Sequence, residues 1–295
     1  ELINQIAKMQ YMSSGRLRMP LLLRGCIGIG HSAATHHSGS YHAIYSHIPG
    51  LRVVVPSTPY DAKGLLNRAL RCHDPVLFLE PRELMAMKGD VPAEPYEIEF
   101  GQARIAREGR DVTVVAIALM VQRSLAAAEQ LASEGISVEV IDPRTVSPLD
   151  TDTILASVKK TGRLLIVDEA FSPCGLGAEI AARVADAGFD DLDAPIRRLN
   201  GVFTPTPYSP PLEKAVIPQV DDVVAGVARE FGHIDILVNA VGGSPIIAKP
   251  AATVEEHSLD DWERVIAFNL RGTFLFTHAG VPLRKQRRRG KSGNL

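Results

Sequence analysis

Short apolar runs alternate with longer stretches of helical period, and this alternation dominates roughly the first 230 residues. Residues 19–23, 51–55, 75–80, 112–118, 136–141 and 163–169 each read as a short strand with buried faces. Between them lie helices with recognisable starts. Ser57-Thr58-Pro59-Tyr60-Asp61 joins a hydroxyl cap, a proline in the first turn and an acid near the positive end. That helix stops near residues 71–75, before Pro75. Further helices are predicted over residues 121–133, after Ser147-Pro148-Leu149-Asp150, and from Gly175-Leu176-Gly177 through Ala187. Leu2, Ile3, Ile6 and Met9 give a helical period at the start. Strands separated by helices predict an α/β fold, with parallel strands and right-handed crossovers.

One segment breaks the pattern. Residues 24–50, RGCIGIGHSAATHHSGSYHAIYSHIPG, hold five of the chain's nine histidines among glycines and serines. They show neither a strand nor a helical period. Glycine permits positive φ and close approach of backbone to a ligand, and histidine transfers protons near neutral pH. A Gly/Ser/His loop leaving a buried strand is a way for a rigid sheet to present chemistry at its edge. Two other readings are weaker. His36 and His37 are adjacent, so their side chains diverge and make a poor metal pair. Residues 28–33 fit G-x-G-x-x-A, but the next strand ends in Pro56-Ser57 with no carboxylate for a ribose, which argues against a dinucleotide loop.

Composition narrows the partners. Of 295 residues, 45% are hydrophobic and 22% charged, with a formal net charge of −2, which gives no cause to expect nucleic acid or an acidic membrane. Three well-separated cysteines do not make a disulfide framework and suit a reducing cytoplasm. No apolar run approaches the roughly 20 residues of a membrane span, and no signal peptide is recognisable. The chain opens on Glu1 inside a helical pattern, as though its beginning lay elsewhere.

The strings RMPLLLRG, THHSGSYHAIYSHIPGLRVVVPSTPYDAKGLL and HDPVLFLEPREL resemble the beta subunit of the decarboxylating component of 2-oxo acid dehydrogenase complexes, the pyruvate and acetoin types above all. The likeness continues through VIDPRTVSPLDTDTILASVKKTGRLLIVDEA, CGLGAEIAARV and PPLEKAVIPQVDDVVAGV. It implies a partial pyrimidine-binding domain of transketolase type over 1–95, then a doubly wound transketolase C-terminal domain over 96–228. It also implies thiamine diphosphate shared with an alpha subunit, which would hold the diphosphate and magnesium. Assembly as a heterotetramer with a second beta subunit follows, as does transfer to a lipoyl-bearing dihydrolipoyl acyltransferase. The family's loop histidine matches His37, as proton donor and orienter. A structural potassium would take main-chain oxygens of Ala69, Cys72 and Asp74, although a helix end satisfied by water is an equal alternative. The family's acid for the aminopyrimidine would lie upstream of Glu1, so the chain is expected to be truncated and inactive alone.

After about residue 228 the character changes. FGHIDILVNAVGG and LDDWERVIAFNLRGTF resemble the middle of a short-chain dehydrogenase/reductase, with residues 239–242 at the nucleotide turn and Asn269 as the helix asparagine. Ser258-Leu259-Asp260-Asp261 is a cap ahead of an amphipathic helix. The glycine-rich loop and the Tyr-x-x-x-Lys pair of that family are missing, so 229–295 reads as a Rossmann-like fragment without catalysis. Nicotinamide-dependent reduction and a non-catalytic fusion product are the rival functions.

Overall fold

Valine, isoleucine and leucine fill the strand positions of two sheets, as suits half-buried pleated surfaces. The computed structural model describes residues 1–229, 236–239, 258–267 and 291–294. The chain divides into two units, Glu1–Val227 and Ala228–Leu295.

In the first unit a π-helical turn, Leu2–Ile6, precedes α1 (Met9–Met12), β1 (Leu22–Ile27), α2 (Ala34–His37), α3 (His42–Ser46) and β2 (Arg52–Val54). Next come α4 (Pro59–Leu70), β3 (Val76–Pro81), β4 (Arg104–Arg107), β5 (Val112–Ala116), α5 (Leu119–Ser133) and β6 (Val138–Asp142). The unit continues with β7 (Thr145–Ser147), α6 (Thr151–Thr161), β8 (Leu164–Phe171), α7 (Leu176–Ala187), β9 (Arg197–Gly201), α8 (Pro210–Ala215) and α9 (Val220–Ala228). One sheet has the order β1-β3-β2-β7, the other β4-β6-β5-β8-β9. β1, β3 and β2 run parallel, as do β6, β5, β8 and β9, while β7 and β4 each join antiparallel.

The two sheets share a core. Ile27, Val53, Leu77 and Leu79 from the first pack in one cluster with Val115, Ile141, Leu164 and Ile166 from the second. The opposite faces are covered by α4, through Leu65 and Ala69 against Phe78, and by α5 and α9, through Leu131 and Val223 against Val114 and Val140. Charge reinforces the junction: Asp61, fully buried on α4, lies 2.9 Å from Arg144 Nε and 3.5 Å from Arg104 Nε.

Two expectations need correction, and a third is sharpened. The first strand starts at Leu22 rather than residue 19 and continues through Arg24-Gly25-Cys26-Ile27, which the sequence assigned to the loop. β1 is the last strand of its described sheet, so Arg24 and Cys26 face outward and break the apolar run. The cap of α6 is Asp150, which accepts from Thr153 N at 3.1 Å, whereas Ser147 lies in β7 and donates to Leu51 O. The loop itself contains α2 and α3, helices too short to declare a period.

In the second unit, β10 (Ile236–Asn239) pairs parallel with β11 (Lys291–Asn294). Ser258 caps α10 (Leu259–Ile266) by accepting from Asp261 N at 3.0 Å, as predicted. Of residues 239–242 only Asn239 is described, as the last residue of β10, and Asn269 lies outside the described residues.

Candidate active site

The loop leaves the carboxyl end of β1, where parallel α/β sheets present their ligands. Its backbone is strained from the start. Gly28 and Gly30 have φ of 76° and 140°, and His31, Ser32 and Ala34 also lie at positive φ, between 52° and 60°. Three such residues without glycine's freedom, close together, need surroundings that over-determine them, and such clusters favour functional sites.

Those surroundings come from four elements. Glu213 on α8 accepts from Gly30 N at 3.3 Å, and Thr35 Oγ1 donates to Thr206 O at 2.9 Å. Arg82, just after β3, donates to His37 O at 2.9 Å, which fixes the end of α2. His42 Nε2 lies 2.9 Å from Asp168 Oδ2 on β8, with both side chains fully buried. The loop is therefore fastened to the second sheet as well as the first.

Of the predicted residues, His37 stands exposed at the last position of α2, beside exposed His36. His31 and His47 are also exposed, while His42 lies in the interior rather than at a rim. Burial opposes a charge on His42, but Asp168 and then Glu169 outweigh it, and its pKa is raised above the ordinary value. Asp168 and Glu169 were missed in the sequence. The signal was there: a polar pair interrupts the end of the apolar run Leu-Leu-Ile-Val-Asp-Glu-Ala. Burial pushes the Glu169 carboxyl up to about 7, Asp168 adds to the rise, and His42, Ser40 and Arg123 oppose it.

The potassium candidates lie where α4 ends. The Ala69 carbonyl accepts from Cys72 N at 3.2 Å, and the Asp74 carboxylate binds the Arg52 guanidinium at 2.8 Å. The glycine-opened helix α7 has a packing explanation: a Cβ on Gly175 would overlap Phe171 O, and Gly177 sits against Ile166. Among the described residues no three His, Cys, Asp or Glu side chains converge on a metal position, and no helix is long and apolar enough to cross a membrane.

Comparison with known proteins agrees with this architecture. Residues 2–88 match the pyrimidine binding domain of transketolase, residues 101–223 the transketolase C-terminal domain, and residues 215–293 short chain dehydrogenase. A split gene transketolase, solved as an inactive beta4 tetramer, has the same fold with a TM-score of 0.63 over 77% of this chain and 69% of that one, at 22% identity. The beta subunit of acetoin:2,6-dichlorophenolindophenol oxidoreductase from Bacillus subtilis is 49% identical over 233 residues, 79% of this chain and 68% of that protein. The beta subunit of the pyruvate dehydrogenase E1 component from Rickettsia felis is 46% identical over 228 residues, 77% and 70% of the two chains. With both transketolase-type domains in sequence, and that identity across more than two thirds of these relatives, the chain belongs to the family of beta subunits of acetoin and pyruvate dehydrogenases.

Proposed function

We propose that this chain supplies one wall of a thiamine diphosphate pocket, in an enzyme that decarboxylates a 2-oxo acid or cleaves acetoin and passes the acyl group to a lipoyl arm. The placement of His37 carries the reading: an exposed imidazole on a strained, anchored loop at the carboxyl end of a parallel strand. The fit to the cofactor is that of half a pocket, in which the exposed imidazole faces out toward whatever completes the site. When bound, thiamine diphosphate supplies the nucleophilic carbon and accepts the electron pair released in bond cleavage. His37 holds a proton for the substrate oxygen and orients the incoming lipoyl group, work suited to an imidazole.

Under this reading the alpha subunit holds the diphosphate and its magnesium, and a second beta subunit and a dihydrolipoyl acyltransferase complete the assembly. Exposed Tyr41 and Ile44 in the loop, and Phe203 and Tyr208 in the segment that fastens it, offer apolar surface to those partners. The main-chain oxygens of Ala69, Cys72 and Asp74 are candidate ligands of a potassium ion, since a carbonyl that accepts one hydrogen bond retains a second lone pair.

The test mixes the chain with an alpha subunit, thiamine diphosphate and either pyruvate or acetoin. We expect a complex by light scattering and, in the mixture only, a slow substrate-dependent reduction of an artificial electron acceptor, because the acid expected for the aminopyrimidine is not among these residues. His37→Ala should lower that rate by roughly 10²–10⁴-fold with the complex intact. Failure of the two chains to associate, or an unchanged rate in His37→Ala, would overturn the reading.

A further inference from the structure

Glu169 is 4% exposed, and neither of its carboxylate oxygens has a hydrogen-bond partner. Buried carboxylates ordinarily have partners, and exceptions mark strain or function. β8 brings Glu169 to the root of the histidine loop. There Gly28 adopts a φ of 76°, and a Cβ at that position would overlap Glu169 Oε1. Ser38, the residue after His37, and Ser40 line the same small cavity as Glu169, and Ser38 Oγ is likewise buried without a partner. That cavity, about 10 Å³, is at the lower limit for one water molecule.

The charged groups around Glu169 do not satisfy it. His42 on α3 is engaged by Asp168 at 2.9 Å, and its other ring nitrogen is buried without a partner. Arg123 on α5 favours the ionised carboxylate less than Asp168 disfavours it. Glu213 on α8 is committed to Gly30 N. A neutral carboxyl can donate its O–H to Ser38 or Ser40, whereas a carboxylate here depends on a serine hydroxyl turned toward it, and Ser40 favours the ionised form less than burial and Asp168 disfavour it.

We propose that Glu169 is a positioning residue for His37: its neutral carboxyl packs beneath residues 28–40 and fixes where the imidazole stands, and loss of its proton loosens the loop. The proposal rests on His37 being the site histidine, but Glu169's hold on the loop can be measured without any turnover. Its titration near 7 places the change within the physiological range.

The experiment is amide hydrogen exchange of the full chain between pH 6 and 8.5, with rates scaled for intrinsic exchange. Protection of residues 28–40 should fall several-fold across about pH 7, while β5 and β6 stay protected throughout. In Glu169→Gln the loop should remain protected at both ends of the range. The variant leaves the exposed loop histidines His31, His36 and His37 in place, so a residual slope as steep as the parent's would overturn the proposal. Should the variant not fold, the parent decides alone: loop protection independent of pH refutes it. In the complex with alpha subunit, the decline of kcat above about pH 7 should be absent from Glu169→Gln, without a matching change in KM. With an inactive complex, the exchange result alone would judge Glu169.

Discussion

Glu139 and Glu169 are buried glutamates on the same five-stranded sheet, and their surroundings are opposite. Glu139 sits near the amino end of β6 and accepts from Ser157 Oγ at 2.5 Å and from Gly109 N at 3.2 Å, and it pairs with Lys160. Ser157 and Thr161 in turn bond Thr113 at 2.6 and 2.7 Å, which joins α6 to β5 and β6. Burial alone would raise the Glu139 pKa, but Lys160, Ser157 and Gly109 together hold it below the usual carboxylate value. Glu169 sits near the carboxyl end of β8 with no such partners, and its pKa moves the other way. A parallel sheet can satisfy a buried acid completely at its amino edge. At its carboxyl edge, where function is built, this one leaves an acid unsatisfied.

The comparison predicts unequal costs. Glu139→Ala leaves Lys160, the buried Ser157 hydroxyl and the part-buried Gly109 N–H without their shared acceptor. It should lower stability by about 3 kcal/mol, the low end for breaking a buried pair because Lys160 is 42% exposed. A fall in urea midpoint at constant slope is the expected signature. If Glu139→Ala cost no more than Glu169→Ala, the two sites would not differ in the way their hydrogen bonds indicate.

Glu169→Gln tests the other arm through pH. The folded state keeps a proton on Glu169 that the unfolded chain releases, so stability falls as pH rises from 4.5 toward about 7 and stays lowered above it. At pH 8 the neutral glutamine should therefore be more stable than the parent, by up to about 3 kcal/mol, and below pH 4.5 the gain should vanish. His42 contributes with the same sign. Its stabilisation is full below 6.5 and is lost as pH rises through its raised value, so the parent should weaken from pH 5 to 8 even where Glu139 is indifferent. Denaturant midpoints at pH 4, 6 and 8 decide the matter, and a variant less stable than the parent at pH 8 would count against an unsatisfied carboxyl.

How much of this was legible in the chain follows from distance along it. Alternating runs gave the α/β class and most strands, and Thr58 and Ser258 were readable as caps because their partners lie three residues away. The loop announced itself by composition, and His37 by resemblance. β7 could not be read, because its only reason to be a strand is β2, some 90 residues earlier. The His42–Asp168 pair spans 126 residues, so the sequence held both partners without showing that they meet. Glu169 stood out only as an acid in an apolar run, and its lack of partners is a property of the assembled junction.

A smaller effect sharpens the contrast. Thr58 Oγ1 accepts from Asp61 N at 3.1 Å at the start of α4, a satisfied contact of the same kind as those around Glu139. Thr58→Ala should cost about 1 kcal/mol, as the loss of a helix cap does. The lost backbone hydrogen bond has no titratable partner, so the cost of losing the cap should be the same at both ends. Thermal unfolding at the two pH values would show it. Were the Thr58→Ala cost to follow pH as the Glu169→Gln gain does, the dependence would belong to the whole fold, and Glu169 would lose its claim to it.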